Sequence, residues 1–298
     1  MAKQDLLLIV NPAAACGHKS RYHLHIEKLF GDGFRVEKHL STGAGDIVDT
    51  AREAVGRFDT VVAVGGDGTL HHVVNGIAKK PINLGILPLG SSNGIANSFG
   101  ISMDLLKAAA VIKAGKAAPV DLGTVNKHYF IGFTSIGFDA QIVSDFETNP
   151  QLKQLTLGDY SFVLPAYFVY GFKRFVEMEH KKIRATSGKA IDSHGYWAAV
   201  SNIPHYPGAW KPFPKAKTDD GYLDFLLLKE IDIGKAWTTI VASKSGSHLV
   251  LPHVAYHQVK HLTIKSEQPV ALQADGEYLS TTPARIRAVP KGLRMLLP

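Results

Sequence analysis

Residues 61–78 join an apolar run to two glycines, an aspartate and a third glycine, and then continue with helical periodicity. Gly65 and Gly66 would let the backbone approach a bulky anion, because glycine has no Cβ. N–H groups at the start of the following helix, near Gly68, favour phosphate. Asp67 would repel phosphate unless it holds Mg²⁺ or takes a proton from an attacking hydroxyl. The spacing therefore predicts phosphoryl transfer, with a strand-to-helix turn capped by Asp67 as the structural alternative.

Two further Asp-Gly segments carry carboxylates that suit a cation or a proton transfer. In "TDDGYLD", Asp219 and Asp224 flank the Tyr222 carbonyl, and this spacing can surround a hard cation with oxygen ligands. An ordinary turn that opens a strand is the alternative there. In "QADGEYL", Gly276 allows a tight turn that would direct Glu277 towards a cleft.

Strands and helices that could position these residues alternate over the first 115 or so residues. Apolar runs at 5–10, 34–40, 60–64 and 83–87 predict strands, and helical spacing separates them, first around Tyr22, Ile26, Leu29 and Phe30. A later helix is expected to begin after Ser102 as its N-cap and to end near Gly115. Buried strands alternating with helices predict a parallel sheet covered on both faces, with ligands bound at its carboxyl edge.

From about residue 117 the chain becomes rich in β-like runs separated by turn residues, beginning with two strands around an Asn-Lys turn. This pattern predicts an antiparallel sandwich or barrel, interrupted by helices near 151–178 and 232–243. We expect an α/β domain over 1–118, a β-sandwich over 119–284, and a segment over 285–298 that returns to the first domain; the family resemblance described below implies that the first domain binds nucleotide and the second binds lipid.

Composition narrows the class of protein. The chain has 298 residues, 45% of them hydrophobic and 20% charged, which predicts a folded globular protein. No apolar run reaches the roughly 20 residues of a membrane span, and the N-terminus is too short and too acidic for a signal peptide. The single cysteine, Cys16, excludes an internal disulfide and favours the cytosol. A net charge of +7 favours acidic partners, but no nucleic-acid-binding signature is present.

Several blocks in one order resemble the diacylglycerol kinase catalytic family, which includes bacterial lipid kinases and the sphingosine and ceramide kinases. GGDG alone is shared with NAD kinases and phosphofructokinases, but the resemblance covers nearly the whole chain. It implies an α/β N-terminal domain like that of NAD kinase and phosphofructokinase, followed by an antiparallel β-sandwich. The blocks are "NPAAACGHK" (11–19), "STGAG" (41–45), "GGDGT" (65–69), "LPLGSSNGIANSFGI" (87–101), "VDLGTVNKHYF" (120–130), "IGFDA" (136–140), "DDGYLD" (219–224) and "ADGE" (274–277).

The resemblance also implies an ATP- and Mg²⁺-dependent lipid kinase that transfers the γ-phosphate to a diacylglycerol-like or sphingoid-like hydroxyl. It assigns Glu277 as general base, Asp67 and Asp121 near the catalytic Mg²⁺, and a cleft between the domains as their meeting place. A second, structural Mg²⁺ is expected at Asp219, Tyr222 and Asp224. The implied ATP site comprises Asn11, Thr42, Gly65, Gly66, Gly68, Thr69, Gly90, Ser91 and Asn93.

One departure keeps alternatives open. The family's usual Asn-Asp pair is Asn93-Gly94 here, which puts the choice of substrate and full activity in doubt. The alternatives are an NAD-kinase-like phosphotransferase and a non-catalytic sensor of nucleotide or lipid. As partners we expect a lipid at a membrane surface, with the protein peripheral at the inner face, and no nucleic acid; a homodimer is left open.

Three weaker patterns have both a functional and a structural interpretation. His253, His257 and His261 would share a metal-binding face on a helix, but their segment looks β-like. The apolar stretch 160–172, taken with Leu155 and Leu157 and ending at Phe172, fits a lid over an acyl chain or an ordinary core. The basic cluster at 173–184 fits anionic lipid or a solvated face.

Overall fold

The computed structural model describes residues 3–14, 25–149, 151–152, 160–205 and 210–298, with the backbone alone for 160–168. The predicted loop residues 15–19 and Tyr22 lie outside the described residues. The chain forms two compact units. Unit 1 comprises Met1–Asp121 and Lys291–Pro298, and unit 2 comprises Leu122–Pro290.

Unit 1 contains the predicted parallel sheet. Its strands are β1 (Gln4–Val10), β2 (Phe34–Leu40), β3 (Thr60–Gly65) and β4 (Asn83–Pro88), in the order β2-β1-β3-β4. The end of the last strand, β16 (Ala284–Leu296), pairs in parallel with β4 through Arg294 and Met295. β3 is buried along its whole length, as an apolar strand in the interior of a covered sheet should be. The fold predicted for this part of the chain is confirmed.

Within the described residues of unit 1, four α-helices accompany this sheet: Ala44–Glu53, Asp67–Ile77, Gly94–Ser98 and Leu105–Ala114. Helix Asp67–Ile77 buries Val73, Val74 and Ile77, which have the spacing expected of a face packed on a sheet. The short helix Gly94–Ser98 is not evident from sequence periodicity, because five residues are too few to show a repeat.

Two local predictions in unit 1 are wrong. The segment Ile26–Leu29 forms a short 3-10 helix rather than an α-helix. The N-cap of helix Leu105–Ala114 is Asp104, whose carboxylate accepts hydrogen bonds from the backbone N–H groups of Leu106 and Lys107. Ser102 instead accepts a bond from the Asp104 N–H, so it stabilises the turn before the helix. The predicted end is correct, since Gly115 has a φ of 66°.

Unit 2 contains the predicted antiparallel sandwich. One of its sheets has the order β12-β11-β10-β7-β14-β15. The other includes β8, β9, β13 and the first part of β16. Residues of both sheets, among them Phe225 and Ile264, meet in one buried cluster. The strands are β7 (Phe133–Ile136), β8 (Ile183–Ser187), β9 (Ile191–Gly195), β10 (Trp197–Ser201), β11 (Leu223–Leu228), β12 (Val254–Val259), β13 (His261–Ser266), β14 (Ala271–Ala274) and β15 (Glu277–Thr281).

A hairpin leads into this sandwich. β5 (Ala117–Val125) and β6 (His128–Phe130) are antiparallel around Asn126 and Lys127, which confirms the predicted Asn-Lys turn. Asn126 has a φ of 54°, a left-handed conformation that asparagine adopts more readily than most residues.

Three α-helices of unit 2 are Phe138–Thr148, Tyr160–Glu177 and Ile233–Ser243. The last two correspond to the predicted inserts, although residues 153–159 lie outside the described part. Phe172 is 61% exposed, so the core interpretation of that side chain is wrong. Among the helices of the described residues, none is long and apolar enough to cross a membrane.

The three spaced histidines do not form a helical metal face. His257 lies in β12 and His261 begins β13, which confirms their β-like segment. His253 is buried, and its Nε2 lies 2.9 Å from the Thr239 hydroxyl.

Candidate active site

The carboxyl ends of four parallel strands bring several predicted residues to one edge of the unit 1 sheet. Asn11 follows β1, Thr42 follows β2 and Gly66 follows β3, while Gly90 comes two residues after β4. The Ser41 N–H donates to the Val10 carbonyl at 2.8 Å, so the ends of β1 and β2 remain in contact beyond the strands. Loops at this edge of a parallel sheet are the usual place for a ligand.

Two glycine-containing loops pack closely against each other there, with Gly90 against Gly66. A Cβ on Gly90 would stand 2.4 Å from the Gly66 Cα, and one on Gly66 would stand 3.2 Å from the Gly90 Cα. A Cβ on Gly65 would stand 2.3 Å from the Thr69 hydroxyl oxygen. The glycines are therefore needed for packing within the protein, whether or not an anion approaches them.

Asp67 connects the same two loops through hydrogen bonds. Its Oδ2 accepts from the Gly94 N–H at 2.9 Å, and its Oδ1 accepts from the Ile95 N–H at 3.0 Å. The carboxylate thus caps helix Gly94–Ser98, which is distant in sequence, and its charge is favourable at that N-terminus. A carboxylate offers roughly four acceptor sites, so these two bonds are compatible with a cation.

Asn93 shapes the second loop. It is 4% exposed and has a φ of 49°, and its Oδ1 accepts from the Gly90 N–H at 3.0 Å. Its Nδ2 donates to the Gly90 carbonyl at 2.7 Å. Because both ends of the Asn93 amide bond Gly90, this side chain holds the loop closed, and Ser91 presents an exposed hydroxyl beside it.

Asn11 and Thr69 are directly bonded. The Asn11 Nδ2 donates to the Thr69 Oγ1 at 3.1 Å, and the Asn11 Oδ1 accepts from the Ala13 N–H at 3.1 Å. Thr69 is 3% exposed and lies in the first turn of helix Asp67–Ile77. The loop after β1 and the GGDGT loop are therefore joined by side chains as well as by the sheet.

Thr42 lies in a separate polar arrangement at the same edge. Its backbone N–H donates to the Asp46 Oδ2 at 2.8 Å, and the His39 Nε2 lies 2.9 Å from that oxygen. These contacts, the one with His39 first, lower the pKa of Asp46. Asp46 therefore stabilises the turn that presents Thr42 before helix Ala44–Glu53.

Asp121 has a structural contact in unit 1. It is 1% exposed, and its Oδ1 accepts from the Lys291 N–H at 2.6 Å. Lys291 has a φ of 50°, so this bond holds a left-handed residue where the chain re-enters unit 1. The metal role assigned to Asp121 stays a prediction.

In unit 2, the "ADGE" turn is fixed by Asp275. Its Oδ2 accepts from the Ile131 N–H at 3.0 Å, and its Oδ1 accepts from Gly132 and Phe133 at 2.9 and 3.0 Å. Asp275 therefore orients the turn. Glu277 follows as the half-buried first residue of β15.

A buried polar chain supports the same turn. Gln273 accepts from the Gly276 N–H at 2.9 Å through its Oε1 and donates to the Ser135 Oγ at 2.6 Å. Ser135 donates to the Asp139 Oδ2 at 2.6 Å, and the Trp197 Nε1 donates to the Asp139 Oδ1 at 2.7 Å. The roles of these residues were not predicted from the sequence. The available signal was a glutamine inside the apolar strand β14, since a buried polar side chain needs partners.

The segment predicted to hold a structural cation contains one buried carboxylate. Asp224 is 1% exposed; its Oδ1 accepts from the Tyr256 hydroxyl at 2.6 Å, while its buried Oδ2 has no hydrogen bond of normal geometry. Burial raises the pKa of Asp224, and the nearby Tyr256 and Gln258 side chains partly offset this rise. Asp219 and Tyr222 are exposed. Across the described residues, no group of three or more His, Cys, Asp or Glu is arranged to hold a metal.

Two family models match the chain. The diacylglycerol kinase catalytic domain matches residues 5–125, and the YegS C-terminal NAD kinase beta sandwich-like domain matches residues 133–297. Curated diacylglycerol kinases from Staphylococcus saprophyticus and Staphylococcus aureus are 28% and 29% identical to it over 275 residues. Each match covers 91% of this chain, with 88% and 85% of the respective relatives.

The fold has similar solved structures. A putative diacylglycerol kinase from Bacillus anthracis superposes with a TM-score of 0.78 at 23% identity, covering 100% of this chain and 98% of that one. A second crystal structure of a diacylglycerol kinase from the same organism gives a TM-score of 0.74 at 21% identity, with the same coverage. These likenesses show a common architecture for the α/β and β-sandwich parts.

Proposed function

The chain belongs to the diacylglycerol kinase catalytic family, and from this premise we propose that it transfers the γ-phosphate of Mg²⁺-bound ATP to a lipid hydroxyl. The acceptor is a diacylglycerol-like or sphingoid-like lipid. The observation that carries the proposal is the junction of the Gly66 and Gly90 loops, with the Asp67 carboxylate bonded across it.

The ATP phosphates are assigned to the start of helix Asp67–Ile77. N–H groups in a first helical turn lack partners within the helix, and the helix dipole favours an anion there. Thr69 lies in that turn, and its Oγ1 accepts from Asn11. The Thr69 hydroxyl hydrogen can therefore be donated to a phosphate oxygen. Thr42 and Ser91 supply further polar groups at the same sheet edge.

The carboxylates of the chain fit Mg²⁺ by their chemistry. Oxygen ligands are the ones that Mg²⁺ prefers. Asp67, with Asp121, is assigned to the ion at the nucleotide, and Asp224, with Asp219 and the Tyr222 carbonyl, to a structural ion. The buried Asp224 Oδ2 without a hydrogen bond supports the second assignment, because an orphaned buried oxygen suits a cation. Bound Mg²⁺ would supply positive charge that offsets the charge of the transferred phosphoryl group.

Glu277 is assigned as the general base. It would accept the proton of the lipid hydroxyl while that oxygen forms its bond to the γ-phosphorus and the bond to ADP breaks. A positioned base contributes roughly 10²–10⁴-fold. Asp275 and Gln273 act as positioning residues, since their hydrogen bonds define the turn that precedes Glu277.

The decisive experiment incubates the purified protein with ATP labelled on its γ-phosphate, Mg²⁺ and a detergent-dispersed total lipid extract. We expect a labelled phospholipid whose identification names the acceptor. A parallel incubation with NAD in place of lipid tests the alternative acceptor. Label found only in NADP, or ATP binding without any transfer, would reject the lipid kinase assignment.

Matched variants test the two main roles. Asp67→Asn is expected to lower turnover by at least about 10²-fold. Its control is Asp104→Asn, because Asp104 also caps a helix with two backbone N–H bonds and lies outside the site. Glu277→Gln is paired with Glu267→Gln, an exposed glutamate of the same unit. Turnover in Asp67→Asn equal to that in Asp104→Asn would remove Asp67 from the reaction.

A further inference from the structure

Helix Ile233–Ser243 presents large apolar side chains to solvent. Ile233, Trp237, Ile240 and Val241 are 49%, 66%, 37% and 51% exposed. Their spacing of four, three and one residues places them on one face of the helix, as one stripe about 100° wide. We call these four residues the apolar stripe.

The opposite face of this helix is polar and buried. Thr239 is 9% exposed, and Ser243 is 4% exposed. The Thr239 hydroxyl donates to the Lys235 carbonyl at 2.8 Å and lies 2.9 Å from the His253 Nε2. A surface helix ordinarily buries its apolar face and exposes its polar one. This helix does the reverse, and its apolar stripe is exposed to solvent.

A lysine and another exposed apolar residue follow the helix in the chain. Lys244 comes seven residues after Trp237, hence on the same face, and is exposed. The 3-10 turn Ser247–Val250 follows, and Val250 is 83% exposed. A lysine and a fifth exposed apolar residue therefore follow the four residues of the apolar stripe.

Lysines of another segment lie beside this end of the helix. The Lys211 N–H donates to the Ser243 carbonyl at 3.3 Å, and a Cβ on Gly246 would stand 3.5 Å from Pro214. Lys211 and Lys217 are exposed. Lys215, between them, places its Nζ 5.9 Å from the centroid of the Tyr256 ring. The segment that holds these lysines is thus packed against the helix end.

The acidic residues near the start of the helix are paired. The Lys235 Nζ lies 2.7 Å from the Glu230 carboxylate and 3.0 Å from the Asp232 carboxylate. Lys235 offsets one of these two negative charges, so the start of the helix keeps a net charge of −1. The basic residues lie at the other end of the helix, where Lys244 and Lys217 are exposed.

We propose that helix Ile233–Ser243 docks the protein on an anionic lipid bilayer, with Trp237 at the headgroup level and Lys217 and Lys244 facing the lipid charge. Tryptophan is enriched at membrane interfaces, and basic residues near an anionic surface strengthen binding to it. This proposal rests on the proposed function, because a kinase that acts on a lipid must contact the membrane that holds this lipid.

The charge and the size of the face favour a bilayer over a second copy of the chain. A stable protein interface takes about 20–30 residues from each side, whereas this face offers the apolar stripe and Val250. A basic face is not complementary to its own copy. Interfacial helices, in contrast, combine a narrow apolar face with lysines and bind anionic lipid through both.

The test is cosedimentation of the full chain with vesicles of phosphatidylcholine, with and without phosphatidylglycerol. We expect binding to the anionic vesicles that weakens with salt and falls at least about tenfold in Trp237→Glu. The control is Leu106→Glu, since Leu106 is a 69% exposed helical leucine of unit 1. Lys244→Gln is expected to weaken binding about fivefold.

A second measurement tests whether Trp237 contacts the lipid. The chain contains Trp197, Trp210 and Trp237. Nitroxide-labelled lipid should quench the fluorescence of the native protein on anionic vesicles. Trp237→Phe should bind these vesicles but lose most of the quenching. Quenching that persists in this variant would overturn the assignment of the contact to this helix.

The enzyme assay separates this inference from the proposed function. Trp237→Glu should phosphorylate detergent-dispersed lipid like the native chain and lose activity only on vesicles. Vesicle binding without transfer in detergent would reject the kinase proposal alone. The docking proposal would be overturned if the native protein did not bind anionic vesicles. It would also be overturned if the native protein were a dimer that dissociates in Trp237→Glu.

Discussion

Gly90 lies against Gly66 so closely that a Cβ on Gly90 would stand 2.4 Å from the Gly66 Cα and 3.1 Å from its nitrogen. Both neighbours are backbone atoms, which cannot rotate away as a side chain can. This contact brings together the two loops that carry the proposed nucleotide site. Their relative position is therefore sensitive to a single methyl group.

Gly90→Ala is expected to lower the free energy of unfolding by about 1–3 kcal/mol, because overpacking forces a backbone shift. It should also weaken ATP binding more than this loss of stability explains, since the two loops must separate. Denaturant unfolding and calorimetric titration with ATP measure the two effects. Gly33→Ala is the control, because a Cβ there meets nothing within 4 Å. Equal ATP affinity in both variants would contradict the prediction.

Asp275→Ala should destabilise unit 2 strongly. The change leaves the N–H groups of Ile131, Gly132 and Phe133 without their carboxylate acceptor in a buried site. We expect a loss of about 3–5 kcal/mol in urea unfolding. The exposed Glu267→Ala should change stability by less than about 0.5 kcal/mol. Similar urea midpoints for Asp275→Ala and Glu267→Ala would contradict the prediction, because they would show that other groups take over the three hydrogen bonds of Asp275.

Asp224→Asn tests the assigned structural ion. Mg²⁺ should raise the melting temperature of the native chain, because a ligand that binds only the folded state stabilises it. The variant should lose most of that rise, since a neutral amide is a weaker ligand for Mg²⁺. Asp192→Asn, a change of an exposed carboxylate in β9, should keep it. Melting in Mg²⁺ and in chelator distinguishes the outcomes, and an undiminished rise in Asp224→Asn would remove this residue from the ion site.

His72 should make the protein sensitive to mild acid. Burial, with a smaller effect of His71, lowers the pKa of His72 from 6.5 to about 4. Between these pH values the unfolded chain binds a proton at this residue and the folded chain does not. The free energy of unfolding should therefore fall as pH drops from 6.5 to 4, by on the order of 2 kcal/mol given the partial exposure of the ring.

His72→Gln should flatten this part of the stability profile, and His194→Gln, a change of an exposed histidine, should leave it unchanged. Urea unfolding at several pH values measures the slope. A slope in His72→Gln as steep as in the native chain would assign the acid sensitivity to other groups.

Local patterns were sufficient for most elements. The apolar run at 60–64 predicted β3, and the spacing of Leu70, Val73, Val74 and Ile77 predicted the helix after it. The strands β8 and β9 were not predicted, because exposed polar residues interrupt both of them. The N-cap at Asp104 was missed because Ser102 and Asp104 are both good caps, and only the backbone geometry distinguishes them.

The sequence by itself determined the α/β and β-sandwich parts, since the period of apolar residues reports which face of each element is buried. It also singled out Asp67 and Glu277 by the glycines beside them. Only the tertiary structure decided that Asp67 caps helix Gly94–Ser98, that Asp275 and Gln273 hold the turn before Glu277, and that the apolar stripe faces solvent. These hydrogen bonds and exposed surfaces depend on which segments distant in sequence meet in space. The spacing of residues within a short segment does not determine this.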